Sequence, residues 1–315
     1  MPTPESEPTP AAPVGSDEGL VDPSPRRLVP GLPEVGPLAL GCWRMIDSHS
    51  ARDALDAAVE AGLTLVDTAD VYGLDWGGSG FGANEKALGA ALAASPHLRD
   101  RIVLATKGGI VPGVPYDSSR ATLRAACEAS LRRLGTDVID LYQVHRPDLF
   151  THPDELASTL GDLLDLGLVR AVGVSNMTVA QVDALAAALD RPVVTNQVEL
   201  SVAALDPVRD GTLDRCLRDH MTLLAWSPLA GGRVMSGEGL RPELIAELDR
   251  IAEREGVDRA AVALAFVLAL PGRPVAIVGT QRPERIEAAT AALGVHLSRA
   301  DAYRLIEASE GVPLP

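Results

Sequence analysis

The sequence predicts a single-domain α/β protein folded as a (β/α)8 TIM barrel. Eight short apolar runs, the first beginning at Leu38, each precede a longer amphipathic stretch, and no unit interrupts the series. Parallel strands need crossover helices between them, so this alternation favours a parallel barrel. The chain of 315 residues, 46% of them apolar, is long enough for such a barrel.

The predicted elements follow in order from this pattern. The strands are apolar runs typical of a sheet buried on both faces, and they cover residues 38–41, 64–67, 102–107, 138–145, 171–175, 193–198, 222–226 and 275–278. The helices show apolar residues three or four apart, and they cover residues 51–61, 85–94, 119–134, 153–166, 179–189, 211–218, 241–268 and 283–293. Residues 298–308 are predicted to form an extra helix at the C-terminal end.

An open doubly wound sheet is the alternative fold, and one glycine-rich segment supports it. Residues 78–83 fit the pattern G-x-G-x-x-A of a dinucleotide-binding turn. Such a turn directly follows a strand, whereas this segment lies well beyond the predicted strand that ends at Asp67. A flexible loop at the barrel mouth is therefore the favoured interpretation.

The ends of the chain and its composition restrict partners and compartment. Residues 1–25 are rich in proline, serine, glutamate and alanine and are predicted to be a disordered tail before a barrel domain at residues 26–315. They resemble neither a signal peptide nor a membrane anchor, and no later apolar run approaches the roughly 20 residues that span a bilayer. The net charge of −15 argues against a nucleic acid partner. The oligomeric state is left open.

The three cysteines, Cys42, Cys127 and Cys216, share no close spacing. This argues against a disulfide framework and against a metal site, and it indicates a cytoplasmic protein.

Four ionisable side chains follow neighbouring predicted strands. Asp67 ends one strand and Tyr72 follows five residues later, Lys107 ends the next strand, and His145 ends the one after. Only two of the 28 basic residues are lysines, Lys86 and Lys107. Because the carboxyl ends of barrel strands meet at one rim, we expect the four side chains to lie together.

This group of residues suits the reduction of a carbonyl compound. A phenol titrates near pH 10, and an adjacent ammonium lowers its pKa by favouring the phenolate. Asp67 is expected to hold the Lys107 ammonium in place, because a buried charge needs a partner. A neutral imidazole can orient a carbonyl oxygen. The sequence thus predicts a tyrosine proton donor and a small-molecule carbonyl substrate.

The motifs that contain these residues resemble those of the aldo-keto reductase family, most closely its bacterial branch of predicted oxidoreductases with Gly-x-Trp-Arg and Ala-Trp-Ser motifs. The resemblance covers residues 31–315 and implies that Asp67, Tyr72, Lys107 and His145 form the catalytic tetrad. The matching segments are residues 41–45, 66–73, 105–107, 144–148, 173–176, 196–199, 225–229 and 278–280 together with Arg285.

The same resemblance implies an NADPH (NADP+) site without a Rossmann fold. Ser175, Asn176 and Gln197 match residues that hold the nicotinamide carboxamide, and Trp226 matches the ring that stacks on the nicotinamide. Arg282 and Arg285 could clamp a 2′-phosphate. The further implied cofactor contacts are Cys42, Trp43, Ser227, Leu229, Gly231, Arg233, Gly279, Thr280 and Gln281.

The substrate pocket and the adenine site are less completely matched. Trp43 and Trp76 are expected to line the substrate pocket, and the segment 146–153 is short, so one wall is expected to be open. Ala288 and Ala289 stand where many family members carry Glu-Asn beside the adenine.

Two other functions stay open at this point. One is a regulatory subunit, since some aldo-keto reductase relatives serve as cofactor-sensing partners of membrane channels. The other is an aldolase-like barrel in which Lys107 forms a Schiff base.

Overall fold

The computed structural model describes residues 19–28, 31–74 and 77–315. Eight parallel strands form a closed barrel in chain order, and the last strand pairs with the first. This confirms the predicted TIM barrel and rules out the open sheet. The strands are β1 Leu38–Gly41, β2 Leu65–Asp67, β3 Val103–Gly108, β4 Ile139–Val144, β5 Val169–Ser175, β6 Val193–Glu199, β7 Thr222–Trp226 and β8 Val275–Val278.

Helices connect the strands and cover the outside of the barrel. Several begin at a residue whose side chain caps the first turn, as Asp47, Thr178 and Ser298 do. The α-helices are α1 Ser48–Glu60, α2 Ala83–Ala94, α3 Arg120–Leu134, α4 Pro153–Asp165, α5 Val179–Ala188, α6 Asp206–Arg209, α7 Thr212–Arg218, α8 Arg233–Ser236, α9 Pro242–Glu255, α10 Arg259–Leu268, α11 Pro283–Ala289 and α12 Arg299–Glu310. Short 3-10 helices cover Pro96–Arg101, Ala230–Gly232 and Thr290–Gly294.

The prediction of one long helix over residues 241–268 is wrong. The chain forms two helices there, α9 and α10. Gly256 ends α9 with φ 68°, a left-handed conformation that glycine adopts without strain. The Asp258 side chain then accepts a hydrogen bond from the Ala261 backbone N–H and starts α10.

Aliphatic side chains fill the amino-terminal end of the barrel. Leu28, Leu32 and Val35 precede β1 and pack with inward-facing residues of the strands. The inward-facing members of this cluster are Ala39, Leu65, Val103, Ala105, Leu141, Ala171, Val194, Leu224, Val275 and Ile277. The amino-terminal end of the interior is therefore apolar, and the polar groups of the interior lie at the carboxyl end of the barrel.

The predicted disordered tail lies mostly outside the described residues. Of residues 1–25, the structure describes 19–25. The Leu20 backbone N–H donates to the Leu297 carbonyl at 2.9 Å. The buried Arg26 guanidinium donates to the Asp22 and Arg273 carbonyls at 2.8 and 3.0 Å. The stretch just before the barrel is therefore tied to it.

Cys42, Cys127 and Cys216 are all buried and free. Within the described ranges, no helix combines the length and apolarity needed to cross a membrane. The described residues also contain no group of three or more metal-ligating side chains.

Candidate active site

Lys107 lies at the centre of the predicted catalytic group. The strand β3 carries it into the barrel interior, where its side chain is 0% exposed. Its ammonium donates to Asp67 Oδ2 at 2.6 Å, to the Thr68 carbonyl at 2.8 Å and to the Tyr72 hydroxyl at 3.1 Å. Burial opposes the charged form, but the oxygens of Asp67 and Tyr72 outweigh it and raise the pKa of Lys107. The lysine is therefore a permanent cation at neutral pH.

Tyr72 and His145 lie side by side where the barrel opens. Their ring centroids are 5.7 Å apart and the rings are nearly perpendicular. Burial lowers the pKa of His145 well below its usual value, and the positive charges of Lys107 and Arg146 lower it further. His145 is consequently a neutral imidazole at neutral pH. Its Nδ1 is buried and has no hydrogen-bond partner among the described residues.

The structure changes the expected pKa of the tyrosine. Lys107 does favour the phenolate, as the sequence suggests, but burial is the larger effect and the pKa of Tyr72 is raised above its usual value. The expectation of a net lowered pKa is wrong for the protein without its cofactor. A raised pKa keeps the phenol protonated across the neutral range, so that Tyr72 has a proton to give.

A layer of buried amides holds the other oxygen of the Asp67 carboxylate. Gln197 Nε2 donates to Asp67 Oδ1 at 2.9 Å, and Gln143 Nε2 donates to the same atom at 3.2 Å. Asp67, Gln143 and Gln197 are each at most 2% exposed. Sequence reasoning missed Gln143, although an amide in an apolar strand two residues before His145 must share its face of the sheet.

A cavity of about 880 Å³ opens above this layer. Tyr72 and His145 line one part of this cavity, and the loops that follow β7 and β8 line another part. Most residues of the predicted cofactor site line it: Cys42, Trp43, Ser175, Asn176, Gln197, Trp226, Ser227, Leu229, Gly231, Gly279, Thr280 and Arg285.

Hydrogen bonds connect the polar residues at the ends of β5, β6 and β7. Ser175 Oγ donates to the Gln197 carbonyl at 2.8 Å, and Asn176 Nδ2 donates to Ser175 Oγ at 2.7 Å. Trp226 Nε1 donates to Asn176 Oδ1 at 3.1 Å. The backbone of Asn176 is left-handed, with φ 56°, a conformation that asparagine tolerates better than most residues. The indole ring of Trp226 is thus fixed at the cavity wall.

The loops after β7 and β8 expose their backbone to the cavity. A Cβ added at Gly231, Gly232 or Gly279 would meet nothing within 4 Å, so a ligand can approach the main chain closely at all three. Arg285 also lines the cavity.

Three predicted cofactor residues make other contacts and do not line the cavity. Arg233 donates to the Ala230 carbonyl at 3.0 Å, and Gln281 donates to the Gly41 carbonyl at 2.8 Å. The Arg282 side chain is exposed and pairs with Glu284.

Trp43, which is 37% exposed, forms another part of the cavity wall. Asn84 holds this segment, because its Nδ2 donates to the Cys42 and Trp43 carbonyls at 2.7 and 2.9 Å. The other predicted substrate residue, Trp76, lies outside the described residues.

Two arginines that sequence reasoning did not assign to the site also line the cavity, Arg44 and Arg146. The Arg146 guanidinium lies 5.9 Å from the centre of the Trp226 ring. Its position directly after His145 was the available signal.

Comparison with known proteins identifies relatives along almost the whole chain. The chain is 44% identical to a 6-dehydroglucose reductase of Novosphingobium aromaticivorans over 286 residues, which cover 89% of this chain and 94% of that protein. It is 36% identical to a 6-dehydroglucose reductase of Agrobacterium fabrum, with 86% and 93% of the two chains covered.

A solved structure and a family model agree with these relatives. An aldo/keto reductase from Klebsiella pneumoniae, crystallised with NADP and acetate, superimposes with a TM-score of 0.72 and is 29% identical, with 90% of this chain and 93% of that chain covered. The model of the aldo/keto reductase family matches residues 35–310. The chain is therefore an oxidoreductase that belongs to the aldo/keto reductase family.

Proposed function

We propose that this protein uses NADPH to reduce aldehyde or ketone carbonyls to alcohols, with Tyr72 as the proton donor. One observation carries the proposal. The Tyr72 hydroxyl accepts a hydrogen bond from the buried Lys107 ammonium at 3.1 Å. Tyr72 and His145 both line the large cavity. A carbonyl oxygen placed between the phenol and the imidazole can receive a proton from one and be oriented by the other.

When bound, NADPH supplies a hydride to the carbonyl carbon. As negative charge develops on the carbonyl oxygen, the Tyr72 O–H donates its proton to that oxygen and the alcohol forms. Lys107 stabilises the phenolate that remains, because its ammonium is held against Tyr72 by Asp67. The neutral imidazole of His145 hydrogen-bonds the carbonyl oxygen and fixes its direction.

The residues at one side of the cavity fit a nicotinamide. Ser175, Asn176 and Gln197 offer hydroxyl and amide groups suited to a carboxamide, and they lie at adjacent strand ends. Trp226 offers a flat ring whose indole nitrogen is already fixed by Asn176. Stacking on this ring would hold the nicotinamide in one orientation.

The loops after β7 and β8 fit a diphosphate and a 2′-phosphate. The open space over Gly231, Gly232 and Gly279 lets backbone N–H groups approach phosphate oxygens. Arg285, which lines the cavity, is the better placed of the two predicted arginines for the 2′-phosphate, while Arg282 pairs with Glu284. A guanidinium there would favour NADPH over NADH.

The relatives suggest the substrate class. Both are named for the reduction of 6-dehydroglucose, and one is 44% identical to this chain. We propose the aldehyde of an oxidised sugar, 6-dehydroglucose itself, as the substrate. Arg44 and Arg146 at the mouth of the cavity can donate hydrogen bonds to sugar hydroxyls.

The surroundings of Lys107 disfavour the aldolase-like alternative, in which this lysine forms a Schiff base. A Schiff base requires a neutral amine that can reach the substrate. The Lys107 ammonium is fully buried, donates to three oxygens and has a raised pKa. Tyr72, and not Lys107, lines the cavity.

Steady-state assays of NADPH oxidation test the proposal. The purified protein is supplied with 6-dehydroglucose, simple aldehydes, ketones and dicarbonyls, and each assay is repeated with NADH. We expect turnover with aldehydes, most efficient with 6-dehydroglucose, and a preference for NADPH. Binding of NADPH without turnover of any carbonyl would contradict the proposed activity and favour a regulatory subunit.

A further inference from the structure

We infer that Gln143 is a positioning residue that keeps a hydrogen-bond donor on Asp67 when Gln197 turns to the cofactor. The inference rests on the proposed function, in which Gln197 binds the nicotinamide carboxamide. It starts from an overlap: the amide of Gln197 that is proposed to serve the cofactor donates to Asp67 Oδ1 at 2.9 Å.

The Asp67 carboxylate is buried and has donors on both oxygens. Oδ2 accepts from Lys107 at 2.6 Å, while Oδ1 accepts from Gln197 and, at 3.2 Å, from Gln143. A carboxylate oxygen that loses its last donor loses much of its stabilisation where water has little access, and Asp67 is only 2% exposed. If Gln197 leaves Oδ1, Gln143 is the donor that stays.

The barrel interior is shaped to hold Gln143 in this position. The β4 strand points its side chain inward, where it is 0% exposed. The Gln143 Oε1 atom accepts from Thr195 Oγ1 at 3.4 Å and from Gln197 Nε2 at 3.5 Å. When Gln197 turns away, the Thr195 hydroxyl still orients the amide so that Nε2 faces Asp67. On β5, Gly173 leaves the space that these side chains occupy, because a Cβ there would clash with Thr195 Oγ1 and lie 3.2 Å from Gln143 Cγ.

Gln143 and Gln197 thus have different roles. Gln143 Nε2 has one described partner, Asp67, and Gln143 does not line the cavity. Gln197 reaches both the carboxylate and the cavity. With Gln143 present, the Gln197 amide can turn from Asp67 to the nicotinamide carboxamide, and Asp67 Oδ1 still accepts a hydrogen bond from Gln143.

A double-mutant cycle of Gln143→Met and Gln197→Met tests this assignment. Methionine is close to glutamine in size but cannot donate a hydrogen bond. The dissociation constants for NADPH and NADP+ are measured by titration without a carbonyl substrate, and melting temperatures are measured without cofactor. Thr195→Val is a milder form of the same test, because it removes the hydroxyl that orients the Gln143 amide and leaves the amide itself in place.

We expect Gln143→Met alone to weaken NADPH binding about tenfold, since binding now removes the last donor from Oδ1. The melting temperature of the cofactor-free variant should fall little, because Gln197 still serves Asp67. In the Gln197→Met background the pattern reverses. There Gln143→Met should leave NADPH affinity unchanged and lower the melting temperature clearly. Thr195→Val should weaken NADPH binding in the same direction as Gln143→Met but less, because the Gln143 amide is still present.

Equal weakening of NADPH binding by Gln143→Met in both backgrounds, or none in either, would overturn the inference. This failure is distinct from failure of the proposed function. The latter appears as unaltered protein that does not bind NADPH, or that binds it and turns over no carbonyl.

Discussion

The two ends of the barrel interior are filled by opposite kinds of side chain, although the same strands supply both. On β3, Val103 and Ala105 join the aliphatic cluster at the amino end, and Lys107 reaches the polar layer at the carboxyl end. On β4, Leu141 likewise belongs to the aliphatic cluster, and Gln143 belongs to the polar layer. Inward-facing positions recur every second residue, so one strand can serve both ends.

Stability and catalysis should therefore depend on different ends of the barrel. The amino end gains its stability from apolar burial, which has no directional requirement. The carboxyl end consists of charges and amides that are stable only while each keeps its partner. Substitutions at the amino end should therefore change the free energy of unfolding, and those at the carboxyl end should change catalysis.

Lys107→Met should break this separation and have the largest effect. It removes the cation that stabilises the Tyr72 phenolate, so turnover should fall by about 10²-fold or more. It also leaves Asp67 as a buried carboxylate without its cation, which should cost about 3–5 kcal/mol of stability. Both are measured, by steady-state assay and by urea unfolding. Lys86→Met, at the exposed second lysine, is the control and should change neither.

Leu141→Ala tests the amino end of the same barrel. Leu141 is 0% exposed in the aliphatic cluster, and truncating such a side chain costs about 2–5 kcal/mol. Turnover per folded molecule should stay unchanged, because Leu141 belongs to the aliphatic cluster and contributes no polar group to the site. Urea unfolding and the assay at low temperature measure the two effects. A large loss of turnover in fully folded protein would show that the two ends are coupled.

Arg285→Ala tests which residue at the carboxyl end of the barrel holds the 2′-phosphate of NADPH. If Arg285 holds the 2′-phosphate, NADPH affinity should fall by about 1.5–3 kcal/mol while NADH affinity changes little. Arg282→Ala is the matched comparison and should have the smaller effect, because the Arg282 guanidinium already pairs with Glu284. Titration of each variant with both cofactors decides the matter. Equal losses for NADPH and NADH would place the 2′-phosphate elsewhere.

Asp70 is buried and does not line the large cavity, so it provides the smallest expected effect on activity. Burial, and then repulsion from Glu85, raises the pKa of Asp70 to about 8, whereas an unfolded aspartate ionises near pH 4. The folded state therefore binds this proton more tightly. The stability that it contributes is complete below about pH 4 and is lost as the pH rises through about 8.

Asp70→Asn should consequently stabilise the protein by about 3–5 kcal/mol at pH 8 and have little effect at pH 4. Urea unfolding at both pH values measures the difference. The same stabilisation at both would mean that ionisation of Asp70 is not its cause.

The sequence was sufficient for the barrel, because eight apolar runs joined by amphipathic helices leave few other folds. It also placed Asp67, Lys107 and His145 at one rim, since each follows an apolar run. The break between α9 and α10 escaped prediction, because Gly256 and Asp258 lie between two helices with similar apolar spacing.

Other features of the site depend on distances that no local pattern contains. Gln143 is 76 residues from Asp67 along the chain, and only the closed barrel brings the two together. Whether the pKa of Tyr72 is raised or lowered depends on whether burial or the positive charge of Lys107 has the larger effect. The extent of burial is known only from the fold.

Tyr72→Phe removes only the hydroxyl that is proposed to donate the proton to the substrate. We expect carbonyl reduction to fall by at least about 10²-fold, with the melting temperature and NADPH affinity unchanged. The assay follows NADPH oxidation with the best substrate at saturating cofactor. A Tyr72→Phe protein that is folded, binds NADPH and keeps more than about a tenth of the original turnover would contradict Tyr72 as the proton donor.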